Sequence, residues 1–343
     1  MTISAYVVLM ATAPTISVIM SVYNGAPYLY ASIQSILQQR FDDFEFLVVN
    51  DGSSDGSSEI LQILAAADSR IRLIERENRG LVFSLNELVA NARAPLLARM
   101  DCDDIAMPDR FSKQVAFMRA NPEIGVLGSN THDLNEDGLI VKATEEYPLS
   151  PSAARDWLKN GPPVCHPSVM MRTAIIRELG GYRAAFRHAE DYDLWLRAAL
   201  ITDICNLPDR LLLYRRSPQQ ISQKHAGEQA KAAAVAWLDY VRRCDGHSSL
   251  FDGRPCLPHY DELDQLFEEA GTSAFVRRKV VERLRYSNEM LEGPEFNMMV
   301  QQVRAGESFD GVVRTILRLG RKGRMLRALI LASAVAGLVI SSS

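Results

Sequence analysis

Residues 95–104, PLLARMDCDD, form a short apolar run that ends in three carboxylates within four residues. A leading proline followed by mostly apolar residues predicts a buried strand over 95–100. The apolar spacing of Phe111, Val115 and Met118 predicts a helix soon afterwards. The three acids therefore lie in a strand-to-helix turn, which is where open α/β sheets bind their ligands.

The acids of this turn repel one another unless a cation lies beside them. Hard carboxylate oxygens suit Mg²⁺ or Mn²⁺, and such an ion usually leaves part of its coordination shell to substrate phosphates. The Asp101-Cys102-Asp103 tripeptide therefore indicates a metal that holds a diphosphate. The alternative is an acidic turn that caps the next helix, and the tripeptide alone does not decide between the two.

The chain around this turn alternates strand and helix patterns. Buried strands are predicted at 16–22, 44–50 and 71–74, and each is followed by an amphipathic helical pattern before the strand that carries the acids. Such a βαβαβαβ order with nearly continuous apolar strands predicts a doubly wound, mostly parallel, Rossmann-like sheet. Neither GxGxxG nor GxxxxGK[ST] follows any of these strands, so a bound diphosphate has to be held through the metal at the acidic turn.

Several motifs in the order found here resemble glycosyltransferase family 2, the inverting enzymes of GT-A fold, over about residues 15–222. The segments that carry the resemblance are VNDGSSDGS (49–57), ARMDCDD (98–104), HPSVMMR (166–172) and HAEDYDLW (188–195). The resemblance implies a nucleotide-diphospho-sugar donor, a divalent metal, and transfer of one sugar with inversion.

The resemblance also implies roles for individual donor-side residues. Tyr23 and Asp51 match the family's nucleoside contacts, and Asp51 is the acid that recognises the base. Arg79 and Arg99 match positions near the donor phosphates or base. Asp101 and Asp103 match the family's metal-binding pair, and Asp103 is expected to be the direct ligand. The expected ion is Mn²⁺ or Mg²⁺.

The second acidic motif opens an amphipathic helix. Successive helical residues diverge by about 100°, so of Glu190 and Asp191 one can face a site while the other braces the turn. Asp191 matches the family's general base, and Glu190 and His166 are expected to support the acceptor side. The structural alternative is that these acids simply neutralise the helix N-terminus.

Three further positions are left open. Asp104 is expected either to take part in donor binding or to N-cap the helix after Pro108. Many family members have a histidine after a Tyr-Arg pair, and this chain has Ser217 there. His225 either takes over from that histidine or faces solvent beside Lys224.

Length, composition and charge place these motifs in a domain scheme. The chain has 343 residues, of which 47% are hydrophobic and 23% charged, and this is enough for one large domain and an appended region. We expect a catalytic domain at 1–222 and a helical region at 223–343. Within the catalytic domain, a donor half is expected at about 15–120 and an acceptor half at 121–222. Five cysteines without a CxxC pair favour a reducing, cytoplasmic setting, and no signal peptide is expected. The segment 301–305 lacks the tryptophan of processive relatives, which favours addition of a single sugar.

The C-terminal tail differs from the rest of the chain in charge. Residues 311–343 carry six cations and no acid, whereas the net charge of the whole chain is -4. The apolar run 328–340 has 13 residues, about 20 Å of helix, so it is too short to span a membrane. Peripheral contact with the anionic inner face of the cytoplasmic membrane is expected instead. The alternative is that Leu329, Leu331, Val335 and Leu338 pack on the catalytic domain.

The predicted function is transfer of one sugar from a nucleotide-diphospho-sugar, expected to be a UDP-sugar, to a hydroxyl of a glycan or lipid-linked acceptor during cell-surface polysaccharide synthesis. No nucleic acid partner is expected. A sugar nucleotidyltransferase is one alternative, although Ser21 to Asn24 do not form the glycine-rich basic loop of that class. A non-catalytic, donor-binding component of a glycan assembly complex is the other.

Overall fold

A computed structural model describes residues 13–143, 146–216, 225–284, 287, 291, 293, 295–306 and 311–341. These residues fall into two compact units. One lies within Met1–Tyr182 with Arg197–Ser217, and the other within Arg183–Leu196 with Pro218–Ser343.

The strands of the described residues belong to one sheet. They are β1 (Ile16–Val22), β2 (Phe44–Asp51), β3 (Ile71–Arg76), β4 (Leu96–Asp101), β5 (Ile105–Ala106), β6 (Ile124–Leu134), β7 (Ile140–Ala143), β8 (Met170–Arg172) and β9 (Asp203–Arg215).

The α-helices of the first part of the chain alternate with these strands. They are α1 (Ala26–Leu37), α2 (Ser57–Ala67), α3 (Leu81–Asn91), α4 (Arg110–Ala120), α5 (Pro151–Trp157), α6 (Thr173–Glu178) and α7 (Glu190–Ala198). The later helices follow one another without strands, and they are α8 (Ala226–Cys244), α9 (Leu263–Phe267), α10 (Thr272–Leu284), α11 (Glu295–Arg304), α12 (Val312–Arg321) and α13 (Met325–Ser341).

The sheet runs in the order β3-β2-β1-β4-β8-β6-β9-β5, with β7 paired to β6. The first four strands of that order are parallel, whereas β8 is antiparallel to both of its neighbours. The direction in which strands are added reverses between β1 and β4, so the topological switch point lies where these two strands end. The predicted α/β class, a doubly wound sheet with a C-terminal helical extension, is confirmed, and its second half is mixed.

Burial explains why the sequence forms this sheet. Every residue of β2 is buried, as expected of a strand covered by helices on both faces. In α1 the buried apolar residues Leu29, Ile33 and Ile36 recur at helical spacing and form one face of the helix. The same core cluster contains Phe111 and Met118 from α4, so the helix after the acidic turn is anchored against the sheet.

Two boundaries predicted from the sequence were wrong. The apolar residues of 166–171 predict a strand over that whole segment, but His166–Ser168 forms a 3₁₀ turn and β8 begins only at Met170. Pro167 cannot donate a ladder hydrogen bond, which favours the turn. The local pattern predicts the next strand only over 124–128, whereas β6 continues to Leu134, because β9 pairs with it through register shifts around Ser129 and Asn130.

The second unit has a core of its own. Buried residues from α8, α10, α11, α12 and α13 form one apolar cluster, which includes Val280, Met299, Leu319 and Leu331. The predicted appended helical region is therefore present. Over the part of the chain that the structure describes, we find no helix that combines the length and the apolar character needed to cross a membrane.

Candidate donor and metal site

The acidic turn lies at the switch point of the sheet. Asp101 is the last residue of β4 and is in register with Ser21 of β1, and Val22 of β1 is in register with Asn50 of β2. Asp51 is likewise the last residue of β2, and Tyr23 directly follows β1, so the three residues lie at the ends of three neighbouring parallel strands. These three residues therefore lie at one edge of the sheet.

The three carboxylates of the turn are close enough to share a cation. Asp101, Asp103 and Asp104 can each direct an oxygen so that all three oxygens lie within 4.8 Å of one another. Asp101 is partly exposed and pairs with the buried guanidinium of Arg99. Burial opposes the charge of Arg99, but the charge and hydrogen bond of Asp101, with Tyr182 and Asp104, together outweigh burial, so the pKa of Arg99 is raised.

Burial and mutual repulsion raise the pKa values of the other two acids. Burial, and then the charge of Asp101, raise the pKa of Asp103 to about 6. Burial and the charges of Asp103 and Asp101 raise the pKa of Asp104 well above its ordinary value. Asp104 Oδ2 is buried and has no hydrogen-bond partner among the described residues. A crowded set of hard oxygens that is short of positive charge fits a divalent cation such as Mg²⁺ or Mn²⁺.

Asp104 does not cap the following helix, so that interpretation was wrong. Helix α4 begins at Arg110 with Asp109 as its N-cap residue. Asp104 is 1% exposed, and its Oδ1 accepts a hydrogen bond of 2.8 Å from the backbone N–H of Arg215. Its carboxylate thus joins the acidic turn to the end of β9.

Arg215 is a supporting residue that sequence reasoning did not assign. Its Nε donates to the backbone oxygen of Asp103 at 2.8 Å, and its guanidinium lies 4.0 Å from the centre of the Tyr28 ring. One arginine therefore contacts the acidic turn and helix α1 together. The signal was the Tyr-Arg pair at 214–215, but its partner lies more than 100 positions earlier in the chain.

Cys102 separates the two predicted metal ligands and points the other way. Its side chain packs against the hydrophobic core, while burial and the three neighbouring acids raise the pKa of its thiol. A Cβ atom on Gly25 would lie 2.8 Å from Cys102 Sγ. The turn between β1 and α1 therefore approaches the acidic turn so closely that a side chain at position 25 does not fit without a shift.

The predicted nucleoside residues differ in how much of their side chain is available. Tyr23 is 56% exposed. Asp51 is buried, accepts hydrogen bonds from the backbone N–H groups of Arg79 at 2.8 Å and Gly80 at 2.9 Å, and also pairs with Arg76. Asp51 thus holds the loop before α3 against the end of β2. A hydrogen bond from a nucleoside would have to use the carboxylate lone pairs that these contacts leave available.

Arg79 has an exposed side chain that lies flat on a neighbouring ring. Its guanidinium carbon is 3.3 Å from the centre of the Phe83 ring, one turn into α3. This stacking fixes a positive charge beside the Asp51 loop. Neither the position of Arg79 nor that of Arg99 tests the predicted contact with donor phosphates, which stays a prediction.

The Glu-Asp motif lies in the second unit, at the start of α7. Glu190 is 8% exposed, whereas Asp191 is half-buried, so the two acids differ in access to solvent as their helical spacing suggests. Asp193 in the same turn is fully buried and forms an ion pair with Arg183. The motif therefore contains one structural acid, Asp193, and one partly exposed acid, Asp191, which stays the predicted base.

His166 and His225 occupy unlike surroundings. His166 is buried, and its Nε2 lies 2.8 Å from the hydroxyl of Tyr182. Burial, with the charge of Arg99, lowers the pKa of His166 well below its ordinary value, so its ring is neutral. Ser217, the departure from the family pattern, lies outside the described residues. His225 is only partly exposed and stacks on the ring of His188, rather than facing solvent alone.

Comparison with known proteins agrees with this geometry. Residues 17–180 match the model of glycosyl transferase family 2. The chain is 38% identical to EpsE of Bacillus subtilis (strain 168) over an alignment of 192 residues. This alignment covers 55% of this chain and 68% of EpsE. Over 252 residues it is 31% identical to the O-antigen biosynthesis glycosyltransferase WbnJ of Escherichia coli, covering 71% of this chain and 94% of WbnJ.

Solved structures resemble the chain over nearly its whole length. Residues 1–349 of TarS from S. aureus, solved in complex with UDP-GlcNAc, superpose with a TM-score of 0.57 at 16% identity, over 95% of this chain and 92% of that one. The mannosyltransferase PcManGT from Pyrobaculum calidifontis, solved with GDP-Man and Mn²⁺, gives a TM-score of 0.51 at 15% identity, over 97% and 89% of the two chains. At these identities the likeness concerns the fold alone, which is of GT-A type. The sequence relatives, together with the family model, establish that the chain belongs to glycosyl transferase family 2.

Proposed function

We propose that the protein is an inverting, metal-dependent glycosyltransferase that moves one sugar from a nucleotide-diphospho-sugar, taken to be a UDP-sugar, to a hydroxyl of a glycan or lipid-linked acceptor. The observation that carries the proposal is the cluster of Asp101, Asp103 and Asp104 at the switch point of the sheet. The name of WbnJ, an O-antigen biosynthesis enzyme, supports a role in cell-surface polysaccharide synthesis.

The donor side of the reaction is assigned to the strand ends. Asp101 and Asp103 would hold the cation, which when bound neutralises the diphosphate and stabilises it as the leaving group. Tyr23 and Asp51 bind the nucleoside, and Arg79 and Arg99 contribute positive charge beside the donor. Arg99 is already paired with Asp101, so it limits the excess negative charge of the turn before any ligand arrives.

The acceptor side is assigned to the second acidic motif. Asp191 removes the proton from the attacking hydroxyl as the new glycosidic bond forms on the face opposite the leaving diphosphate. Glu190 supports this residue from its buried position at the helix start, and His166, held by Tyr182, supports the acceptor region. We assign the catalytic domain to 1–222 and the appended helical region to 223–343.

The alternatives make different predictions about chemistry. Membership of a glycosyltransferase family disfavours a sugar nucleotidyltransferase, which would form or split a nucleotide-sugar with pyrophosphate. A non-catalytic component would bind donor without releasing nucleoside diphosphate. Incubation of the chain with Mn²⁺ and a panel of UDP-, GDP- and TDP-sugars identifies a glycosyltransferase by released nucleoside diphosphate. A second incubation with added pyrophosphate identifies a nucleotidyltransferase by the nucleoside triphosphate formed, and a non-catalytic component gives neither product.

The metal assignment is tested in the same assay. Asp103→Asn should abolish Mn²⁺-dependent release, and EDTA should abolish release by the unaltered chain. Asp137→Asn is the matched control, because Asp137 is an exposed acid in the turn before β7. Full activity of the Asp103 variant, or full activity in EDTA, would contradict the metal assignment.

We further propose that the enzyme works at the cytoplasmic face of a membrane, against which helices α12 and α13 lie. Apolar side chains on these two helices are exposed to solvent, namely Val313, Leu317, Met325, Leu326 and Leu329. Basic side chains on and between the same helices are also exposed, namely Arg314, Arg318, Arg321, Lys322 and Arg324. Exposed apolar residues flanked by cations fit an anionic lipid surface, which is where a lipid-linked acceptor would be found.

The competing interpretation, that the apolar tail is simply packed, holds for only some of its residues. Leu331 is fully buried within the helical core of its own unit, whereas Leu329, two positions earlier, is 62% exposed. Val335 is partly buried, and the side chain of Leu338 lies outside the described residues. One face of α13 therefore packs, and the opposite face remains available for a lipid surface.

A further inference from the structure

Two histidines and a glutamate of the second unit converge on one point. His188 lies two residues before the start of α7, His225 is the N-cap residue of α8, and Glu228 lies in the first turn of α8. His188 Nε2 is 3.4 Å from Glu228 Oε2, and His225 Nδ1 is 3.8 Å from the same oxygen. The two imidazole rings are stacked, with centroids 4.2 Å apart and planes inclined by 11°. One nitrogen of each ring therefore faces the same carboxylate.

His188 carries two marks of a residue held in place for a ligand. Its side chain is 8% exposed, and among the described residues its buried Nε2 has only the 3.4 Å ion-pair contact with Glu228 and no hydrogen bond of normal geometry. Its backbone has φ 69°, a conformation that residues other than glycine rarely adopt. Gln229 Nε2 donates to the backbone oxygen of His188 at 2.8 Å, so α8 itself holds this strained segment. Strain of this kind is concentrated at functional sites.

We propose that His188, His225 and Glu228 form a binding site for a transition-metal ion such as Zn²⁺. Two imidazole nitrogens and one carboxylate oxygen are a ligand set that Zn²⁺ uses with a fourth position left open. Metal–ligand bonds of about 2.0–2.1 Å place tetrahedral ligand atoms about 3.4 Å apart, close to the two separations seen here. The side chains of His225 and Glu228 are 42% and 68% exposed, so they are free to rotate until their ligand atoms point at one metal ion.

The chemistry of this site differs from that of the acidic turn. Imidazole nitrogens favour Zn²⁺, Co²⁺ or Ni²⁺, whereas an all-carboxylate cluster favours Mg²⁺ or Mn²⁺. A metal ion bound here would link His188, which lies two positions before Glu190, to the first turn of α8. The inference does not depend on the proposed sugar transfer, because it concerns only the binding of an ion within the second unit.

The test uses the full, untagged chain after removal of metals with a chelator. Isothermal titration with Zn²⁺, and the visible absorption of bound Co²⁺, measure stoichiometry and affinity. His225→Gln and Glu228→Gln alter partly or largely exposed side chains, and His188→Asn supplies a residue that tolerates positive φ. Loss of an outer-shell partner alone typically weakens a site about 10–100-fold, so each ligand variant should weaken Zn²⁺ binding by at least about tenfold.

Two controls separate this site from other metal binding. His247→Gln removes an exposed histidine outside the cluster and should leave the Zn²⁺ affinity unchanged. Asp103→Asn should also leave it unchanged, since the acidic turn is a different set of ligands. Absence of Zn²⁺ binding by the unaltered chain, retention of full affinity by the three ligand variants, or loss of binding in Asp103→Asn alone would each overturn the proposal.

Discussion

Arg183 holds the carboxylate of Asp193 with its guanidinium, and Arg183 Nε lies 3.2 Å and 3.1 Å from the two carboxylate oxygens. The same guanidinium also reaches Asp239 Oδ2 at 3.1 Å and Ser249 Oγ at 2.6 Å. Arg183 is 10% exposed, and Asp193 and Asp239 are almost completely buried. One arginine therefore joins the helix that carries Glu190 and Asp191 to helix α8.

Arg183→Met should destabilise the protein strongly. The variant removes the cation from two buried carboxylates, and breaking a buried ion pair by deleting one partner typically costs 3–5 kcal/mol. Urea denaturation followed by circular dichroism measures the change in unfolding free energy. Asp252→Asn is the matched control, because Asp252 contacts the same arginine but is 76% exposed, and it should change stability by less than about 1 kcal/mol. If the two variants lowered the unfolding free energy equally, the stabilisation would not depend on the burial of the Asp193 and Asp239 carboxylates.

Gly25→Ala should disturb the acidic turn through Cys102. The added methyl group would meet Cys102 Sγ at 2.8 Å, and overpacking of this kind typically costs 1–3 kcal/mol. Cys102→Ala removes that sulfur, and the next contact of the new methyl group, the Cβ of residue 102 at 3.4 Å, is tolerable. The double variant should therefore be less destabilised than the sum of the two single variants. Additive effects in thermal or urea denaturation would show that the two residues do not meet.

The same turn shows how far the sequence alone predicts the site. Tyr23, Asp51 and Asp101 could be grouped in advance, because each follows a predicted parallel strand and such strands end at one edge of the sheet. The contact between Asp104 and Arg215 could not, because it joins positions 111 residues apart through the pairing of β5 with β9. Local patterns predict elements and their ends, whereas long-range pairing decides which side chain meets which.

The errors in the fold have a similar physical origin. The apolar residues Val169, Met170 and Met171 predict a strand but do not show at which residue it begins. The 3₁₀ turn at His166 was therefore missed. The length of β6 depends on β9, which lies about 80 residues later, and no local signal reports it. The buried arginine network around Arg183 was missed because isolated charges along a sequence are usually solvated.

Glu45 should make folding stability depend on pH in the acid range. Burial raises the pKa of Glu45, but hydrogen bonds from Ser17 Oγ, the Arg93 N–H and the Arg72 side chain, with the charge of Arg93, outweigh burial, and the pKa is lowered from 4.5. A carboxylate with a lowered folded-state pKa stabilises the protein fully above the unfolded-state pKa, and this stabilisation is lost as pH falls through the folded-state pKa.

Glu45→Gln tests that dependence. The variant should be less stable than the unaltered chain by about 1–3 kcal/mol at neutral pH, since a buried charged acceptor is lost. The difference in unfolding free energy between the two chains should stay constant down to the ordinary pKa of 4.5 and shrink below it. Urea denaturation at a series of pH values measures this difference. A difference that does not change at acid pH would contradict the assignment.

Asp191→Asn should remove turnover while leaving donor binding intact. A general base acts on the acceptor hydroxyl in the transition state and contributes about 10²–10⁴-fold to the rate, whereas it adds nothing to the affinity for the donor. Calorimetry with the nucleotide-sugar and a nucleoside diphosphate release assay with acceptor separate the two effects. Turnover within a few-fold of the unaltered chain would place the base elsewhere. A parallel loss of donor affinity would assign Asp191 to donor binding.

The exposed face of α13 should control binding to anionic membranes. Leu326 and Leu329 are 73% and 62% exposed, so replacing both with Asp should leave the helical core, which contains Leu331, intact. Insertion of a leucine side chain into lipid is worth about 1.5–3 kcal/mol, and the two new negative charges are repelled by anionic headgroups. The double variant should therefore bind vesicles of phosphatidylglycerol at least about 100-fold more weakly. Cosedimentation at low salt measures the affinity.

The controls for membrane binding come from elsewhere on the same chain. Ile63→Asp alters an apolar side chain of α2 that is 69% exposed, and it should not change vesicle binding. Phosphatidylcholine vesicles, which lack net charge, should bind the unaltered chain more weakly, because Arg314, Arg318 and Arg321 contribute about 1 kcal/mol each only near an anionic surface. Raised salt should weaken the binding for the same reason. If the α13 variant sediments with phosphatidylglycerol as well as the Ile63 variant does, the exposed apolar face does not bind lipid.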